Sequence, residues 1–513
     1  MEVTLNSTVI SFVLVAFLSC AGRVLNWLWL RPKKLERLLR QQGFKGNPYR
    51  LFYGDSKQIY AMIKEARSTT MNLSDDIVPH ALPFYHHSVR KYGKNSFAWV
   101  GPIPRVNILD PKLIKEVLLR TDIFQKVKHN PISKLLVSGI AGLEDEKWAK
   151  HRKILNQAFY LEKLKELLPA MYLSCSEMMS KWKKLVSEKS SCELDVWPYL
   201  LNLSCDVISR TAFGSSYEEG GRIFELQREQ CELAHDVLQS FYIPGWRFLP
   251  TKRMRKMKEI YAEVQGLVRG IINKRERLGE VSDSDLLGVM LKSNQNEIKE
   301  QGNKDAGMSI EEIIDECKLF YFAGQENTAD LLVWTMVMLS MHPNWQVHAR
   351  EEVQHVFGNN EPDYDGLNRL KIVTMILNEV LRLYTPSSMV TRVTCRETKL
   401  GDMTLPPGVQ VLCPLLLVHH DNEIWGEDAE EFKPERFSEG VAKATKNQGS
   451  FLAFGSGPRI CIGYNFAMLE AKMAIAMILR HFSFELSPSY QHSPSYIASL
   501  DPQHGARMIL HKI

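Results

Sequence analysis

No two of the nine cysteines stand at C-x-x-C spacing, and their number is odd. So thin a scatter along 513 residues argues against a disulfide framework and a structural zinc site, and for a reducing compartment. Excess charge of one sign is missing too. The 64 Lys+Arg against 59 Asp+Glu leave a net charge of +5. That balance does not suit a dedicated nucleic-acid binder, so no nucleic-acid partner is expected. Gly 30 and Pro 23 are too few for a collagen-like or low-complexity chain. With 45% apolar residues there is ample surface to bury, which excludes dominant disorder. Internal repeats are absent, and long apolar runs are absent with one exception.

That exception is Thr8 to Leu30, TVISFVLVAFLSCAGRVLNWLWL, broken only by Arg23 and Asn26. At 1.5 Å rise per residue it is long enough to span a bilayer core. Trp27 and Trp29 sit where an interfacial aromatic belt belongs, and Arg31, Lys33, Lys34, Arg37 and Arg40 follow. The positive-inside rule places that flank and everything after it in the cytosol. A cleaved signal peptide is the alternative, but Met1-Glu2 carries no basic start and the run exceeds a usual signal core. The expected organisation is therefore an anchor at 1–30, a basic linker at 31–75 and a soluble body at 76–513.

Within the body, Ser96–Val100 and Arg105–Leu109 read as short strands around Gly101-Pro102. A mainly helical pattern then runs to about Arg382. Ser309 followed by Glu312 is a capping box, and it predicts a helix to about Met341. Apolar residues fill nearly all its faces from Leu319 to Met338, so burial on every side is expected. Gly324, Glu326 and Asn327 in the middle of such a helix must be satisfied or functional. A second helix is predicted from about Tyr464 to His481. The fold class is mainly α with a small β part.

The chemistry concentrates in Phe454-Gly-Ser-Gly-Pro-Arg459-Ile-Cys461-Ile-Gly463, which fits F-x-x-G-x-R-x-C-x-G at all fixed positions. Residue frequencies give roughly 10⁻⁴ chance matches per chain. A thiolate that must approach an iron atom needs a loop with glycines, here Gly457 and Gly463. Arg459 is a fixed cation suited to a propionate. Cys461 precedes a helix, whose first amides lower a thiol pKa and donate to sulfur. Thiolate ligation pushes electron density onto iron and favours O–O cleavage.

These residues resemble the cysteine loop of the cytochrome P-450 family, and the resemblance runs from anchor to C-terminus. Trp148-x-x-x-Arg152 resembles the motif whose side chains reach a heme propionate. Glu379-Val-Leu-Arg382 resembles the E-x-x-R helix, and Pro434-Glu-Arg436-Phe437 the segment whose Arg436 joins Glu379 and Arg382. Arg392 resembles a propionate-binding arginine. The resemblance implies a cytochrome P-450 fold behind one transmembrane helix, heme b with Cys461 as its axial ligand, and a contact from Phe454. It also implies NADPH-cytochrome P-450 reductase as partner and an endoplasmic reticulum membrane location. Lys147, Lys150, Lys153 and Lys446 are candidates for the basic docking patch.

Ala323-Gly-Gln-Glu326-Asn327-Thr328 resembles the family's oxygen-activation segment, in which Gly324 leaves room for dioxygen and Glu326 relays protons. The family places Thr directly after the acid. Here Asn327 stands there, and Thr328 lies about 100° further round the helix. An amide donates but shuttles protons poorly. Asn327 is thus expected to hold a water or touch substrate, and Thr328 to bond back to the helix. The departure keeps open an electron-independent heme-thiolate isomerase, beside the monooxygenase and a non-catalytic heme protein.

Substrate contacts implied by the family fall on His129, Asn130, Phe320, Ala323, Ser388, Met389 and Leu500. Phe241–Phe248 has the composition of a loop dipping into a membrane. At finer grain NWLWLRPKKLERLLRQQGFKGNPYR, LLVWTMVMLS, PGWRFLP and LDPQHGARMIL resemble the plant microsomal clan that oxidises terpenoids and includes secologanin synthase. Polar Ser387, Ser388 and Thr391, with His129, incline the expectation to an iridoid glycoside or acid, as in secologanin synthase or deoxyloganic acid hydroxylase. Triterpenoid oxidation is the close rival, and gibberellin hydroxylation a further one.

Overall fold

The computed structural model describes residues 2–127, 135, 138–187, 191–214, 217–239, 251–278, 285–303, 306–445 and 449–513. His129, Asn130, Phe241–Phe248 and Lys446 lie outside them. The central element is the helix Ile310–Met341. Its start is set as the sequence predicts: Ser309 accepts from the Glu312 amide at 3.2 Å, and the Glu312 carboxylate accepts from the Ser309 amide at 3.0 Å. It stops at His342 because Pro343 follows, and the residue before a proline leaves the α region. Helices Trp197–Phe213, Lys252–Leu278 and Tyr464–His481 pack around it. The last of these has the predicted bounds.

The minor β part is a six-stranded sheet, in the order Lys45–Gly46, Ser96–Val100, Ile103–Asn107, Gln410–Cys413, Val390–Thr394, Phe124–Lys126. The third strand begins two residues earlier than expected. Gly101 at φ +58° and Pro102 make a two-residue turn, which sets Ile103 opposite Val100. A hairpin of Pro494–Tyr496 and Leu500–Pro502 lies against the central helix. Strands Ser191–Asp195, Arg507–Lys512 and Phe482–Leu486 form a small antiparallel sheet.

Among the described residues one helix, Ser11–Gln41, is long and apolar enough to cross a membrane, and its apolar stretch is unburied. The stretch 31–75, expected as a linker, carries helices Arg31–Gln41 and Ser56–Ala66, and Leu35, Leu39, Phe44 and Tyr49 are buried in the main core. Apolar positions on one face of an amphipathic helix pack the stretch down. The Tyr49 hydroxyl donates to Leu28 O at 2.8 Å, and its ring lies between Trp29 and Trp99 at 6.2 and 4.8 Å. The end of the apolar helix is therefore clamped to the body.

Candidate active site

The loop before Tyr464–His481 is closed by the Cys461 amide donating to Phe454 O at 2.9 Å. Gly457 has φ +72°, and a Cβ there would come within 3.0 Å of Leu118 O, so the position requires glycine. Gly463 has an ordinary φ of −84° and is placed for its amide, which donates to the Cys461 sulfur. Burial pushes the Cys461 thiol up, while that amide and the charge of Arg152 pull it back. The lowered thiol expected from sequence is thus opposed by desolvation. Cys461 lies deep among protein atoms, yet its surface is open. An open surface on a deeply placed residue faces a space inside the protein.

The central helix shows the same feature. It is buried over most of its length, but Ala323 and Asn327, one turn apart, are exposed. Phe159 touches Phe320 on this helix at 5.8 Å and Phe466 on Tyr464–His481 at 6.5 Å. That bridge packs the two helices together, and a cleft between the open surfaces of Cys461 and of Ala323 and Asn327 is the reading that accounts for both. The Asn327 amide donates to Ala323 O at 3.0 Å, so its nitrogen is committed to the helix. Thr328 is buried. A Cβ at Gly324 would come within 2.8 Å of Ile208, so the glycine allows close packing of two helices. Glu326 accepts from the Ser499 hydroxyl at 3.2 Å, and burial pushes its carboxyl up.

At one side of the cleft three cations converge. Lys126 and Arg392 are paired across neighbouring strands, and Arg459 acts on both. Burial, then Arg459 and Arg392, push the Lys126 ammonium down to about 7. Glu144 pairs with Arg459, whose guanidinium stacks on Trp148 at 4.5 Å. Arg392 is half-buried; its Nη1 donates to Thr391 O at 3.0 Å, and its buried Nε has no hydrogen-bond partner. Half-buried like charges with an orphaned donor call for an anion. The two propionates of a heme fit that donor set, and the open sulfur of Cys461 fits its iron. Arg152 instead donates to Ile460 O at 3.0 Å, beside the cysteine.

Comparison with known proteins agrees with this geometry. The family model for cytochrome P450 matches residues 80–507. The chain belongs to the cytochrome P450 family. Cytochrome P450 72A397 of Kalopanax septemlobus is 60% identical over 96% of this chain and 95% of its own length. The 7-deoxyloganic acid hydroxylase of Catharanthus roseus is 56% identical over the whole of both chains. Cytochrome P450 72A68 of Medicago truncatula is 53% identical over 99% and 98%. The chain is thus a heme-thiolate monooxygenase of the plant CYP72A clan, supplied with NADPH-derived electrons by a reductase.

Behind the P450 cysteine loop Arg382 is fully bonded, while the buried Arg436 Nε has no hydrogen-bond partner. Glu379 and Arg382 are fully buried and joined by two bonds of 2.7 Å. Arg382 also donates to His419 O, Ala429 O and Glu431 O. Arg436 approaches Glu379 at 3.4 Å and pairs with Asp428 at 2.7 Å.

Sequence reading missed three members of this P450's site. Lys126 belongs to no motif in the sequence. Buried His419 accepts from the Leu452 amide at 2.9 Å and meets the Thr385 hydroxyl at 2.7 Å, tying the Glu379 helix to the cysteine loop. His151 meets Glu316 at 2.6 Å, tying the Trp148 helix to the central helix. Each partner lies far away in sequence, and a lone His or Lys carries no spacing signal.

Of the expected substrate contacts, Ala323 and Met389 have open surface. Ser388 and Leu500 are fully buried, with the Ser388 hydroxyl donating to Thr385 O and Leu500 O accepting from Trp334. They offer the cleft no surface. Phe320 is buried against Phe159. The expected docking lysines are engaged locally: Lys147 with Glu312 at 2.5 Å, Lys153 with Glu297 at 2.7 Å and Lys150 with Gly307 O at 2.8 Å.

Proposed function

We propose that this P450 hydroxylates an iridoid acid or its glycoside. The observation that carries the reading is the 56% identity, over the full length of both chains, to a protein named 7-deoxyloganic acid hydroxylase. Exposed Ser387 and half-buried Thr391 support it, because they put hydroxyls near Met389 for a polar substrate.

Cys461, Arg392, Arg459 and Lys126 would hold the heme, which when bound would supply the activation of dioxygen. Gly463 and Arg152 steady the negative sulfur. Glu326, its carboxyl pushed up by burial, is the proton-bearing side chain placed to serve the cleft. Asn327, its nitrogen tied to Ala323 O, has its carbonyl oxygen to orient a water. Thr328 supports the helix from its buried side. The apolar helix anchors the enzyme in the endoplasmic reticulum, where the positive-inside rule leaves the body cytosolic.

The test is a substrate-induced spectral-shift screen with the purified heme protein, followed by product analysis with reductase and NADPH. Iridoid acids and glycosides should shift the spectrum and be hydroxylated. A shift and turnover confined to triterpenoid acids or gibberellins would overturn the substrate class.

A further inference from the structure

Three residues on one stripe of the central helix, Glu326, Asp330 and Trp334, meet the hairpin Pro494–Pro502. Glu326 accepts from the Ser499 hydroxyl, and Trp334 donates to Leu500 O at 2.7 Å. Asp330 stands between them with 0% exposure, and neither of its carboxylate oxygens has a hydrogen-bond partner. The Ser499 hydroxyl that bonds Glu326 also lies within reach of Asp330, so one hydroxyl stands between the two acids. Asp501 on the hairpin acts on Asp330, is acted on by Glu326, and is itself half-buried. Across the strand pair from Asp501 sits Ser495, whose buried hydroxyl is also unpartnered.

A carboxyl so placed must carry its proton. Burial, then Asp501 and Glu326, push Asp330 well up, and burial holds Asp501 at about 7. Three carboxyls that cannot all ionise share their protons. Other ionisable groups stand at the ends of the cluster. Arg228 faces Glu326 from Tyr217–Gln239, Arg67 faces Asp501 from beyond Ser56–Ala66, and Cys205, Cys231 and Glu232 lie on the helices opposite. Among the described residues no cation acts on Asp330.

We propose that Asp330 and Asp501, through the Ser499 hydroxyl, are a proton store that recharges Glu326 during turnover. Monooxygenation consumes two protons per dioxygen, and Glu326 can give one before it must be refilled. When it gives a proton to the cleft, the Ser499 hydroxyl passes its own to Glu326 and takes that of Asp330. Asp330 recovers from Asp501, and Asp501 from solvent. One proton crosses, and no bond other than O–H is broken. The cluster does what the amide at Asn327 cannot, since an amide does not hand on protons. Asp330 and Asp501 are positioning residues that act through Glu326. The proposal rests on the P450 reaction and not on the iridoid substrate.

Two readouts on the full-length protein test it. Infrared spectroscopy in H2O and D2O should show buried protonated carboxyls at pH 7, with a band lost in Asp330→Asn. In turnover with any substrate that shifts the spectrum, Asp330→Asn and Asp501→Asn should lower product per NADPH by about twofold or more and displace its pH profile, as loss of a proton donor does. Heme content and substrate affinity should stay as in the wild type. An infrared spectrum unchanged by Asp330→Asn, or unchanged coupling and pH profile in both variants, would overturn the store. If Asp330→Asn does not fold, Ser499→Ala and Asp501→Asn are read against the same two outcomes.

Discussion

Two buried charged clusters, one behind the cysteine loop and one on the central helix, are built oppositely. In the one behind the cysteine loop, every bond of Arg382 is made, to Glu379 and to three backbone carbonyls. In the one on the central helix, neither carboxylate oxygen of Asp330 has a well-formed hydrogen bond, and Glu326 shares the single Ser499 hydroxyl with it. A satisfied buried pair holds geometry and has no reason to titrate. An unsatisfied one stores protons and is expensive to fold, which suits a group used in chemistry. The difference separates scaffold from reactive machinery without reference to any motif.

The largest effect should come from the heme ligand. Cys461→Ala or Cys461→Ser should abolish the reduced-CO band of a thiolate heme altogether; a variant that keeps the band would remove the basis for this site. Next is Arg382→Ala, which strands a buried Glu379 carboxylate. It should cost about 3–5 kcal/mol in denaturant unfolding and lower heme retention.

The pH dependence of stability sharpens the contrast, because the two sides have opposite signs. Burial, then Arg382, push His419 down to about 3, against about 6.5 unfolded. The unfolded chain binds more protons between those values, so stability falls as pH drops below 6.5. His419 alone should cost about 2 kcal/mol between pH 7 and 5, and His419→Gln should flatten that limb. Asp501 is raised from 3.8 to about 7, so its contribution is complete at low pH and is lost as pH rises toward 7. Asp501→Asn should therefore stabilise the protein at pH 8 and leave it unchanged near pH 4. Unfolding midpoints across pH 4–8 decide both.

A smaller effect is expected at Asn327. Asn327→Ala should raise peroxide released per NADPH by roughly two- to tenfold with heme intact, while Asn327→Thr should retain or improve coupling, because a hydroxyl both donates and accepts. If both variants instead weaken the substrate-induced shift, Asn327 reads substrate. The smallest effects belong to the surface. Lys147→Ala and Lys153→Ala remove exposed lysines from pairs with half-buried Glu312 and buried Glu297 and should shift the unfolding midpoint least of all these changes. Reduction by the reductase should slow with rising salt if these lysines steer docking, and stay flat if their local partners neutralise them.

Much of this was legible along the chain. The apolar run, the capping box at Ser309, the helix Tyr464–His481 and the loop around Cys461 each depend on residues within a few positions of one another. Periodicity, end-capping and fixed spacing are local signals, so the sequence by itself determined them, and with them the heme-thiolate chemistry. Tertiary structure decided the rest. It set Gly324 against Ile208, buried Ser388 and Leu500 away from the cleft, and brought Lys126, Arg392 and Arg459 to one point. It also left Asp330 without a well-formed hydrogen bond beside Asp501. The physical reason is common to all four. Burial and electrostatic coupling depend on which distant segments share a space, and nothing in the local spacing of a lysine, serine or aspartate encodes that.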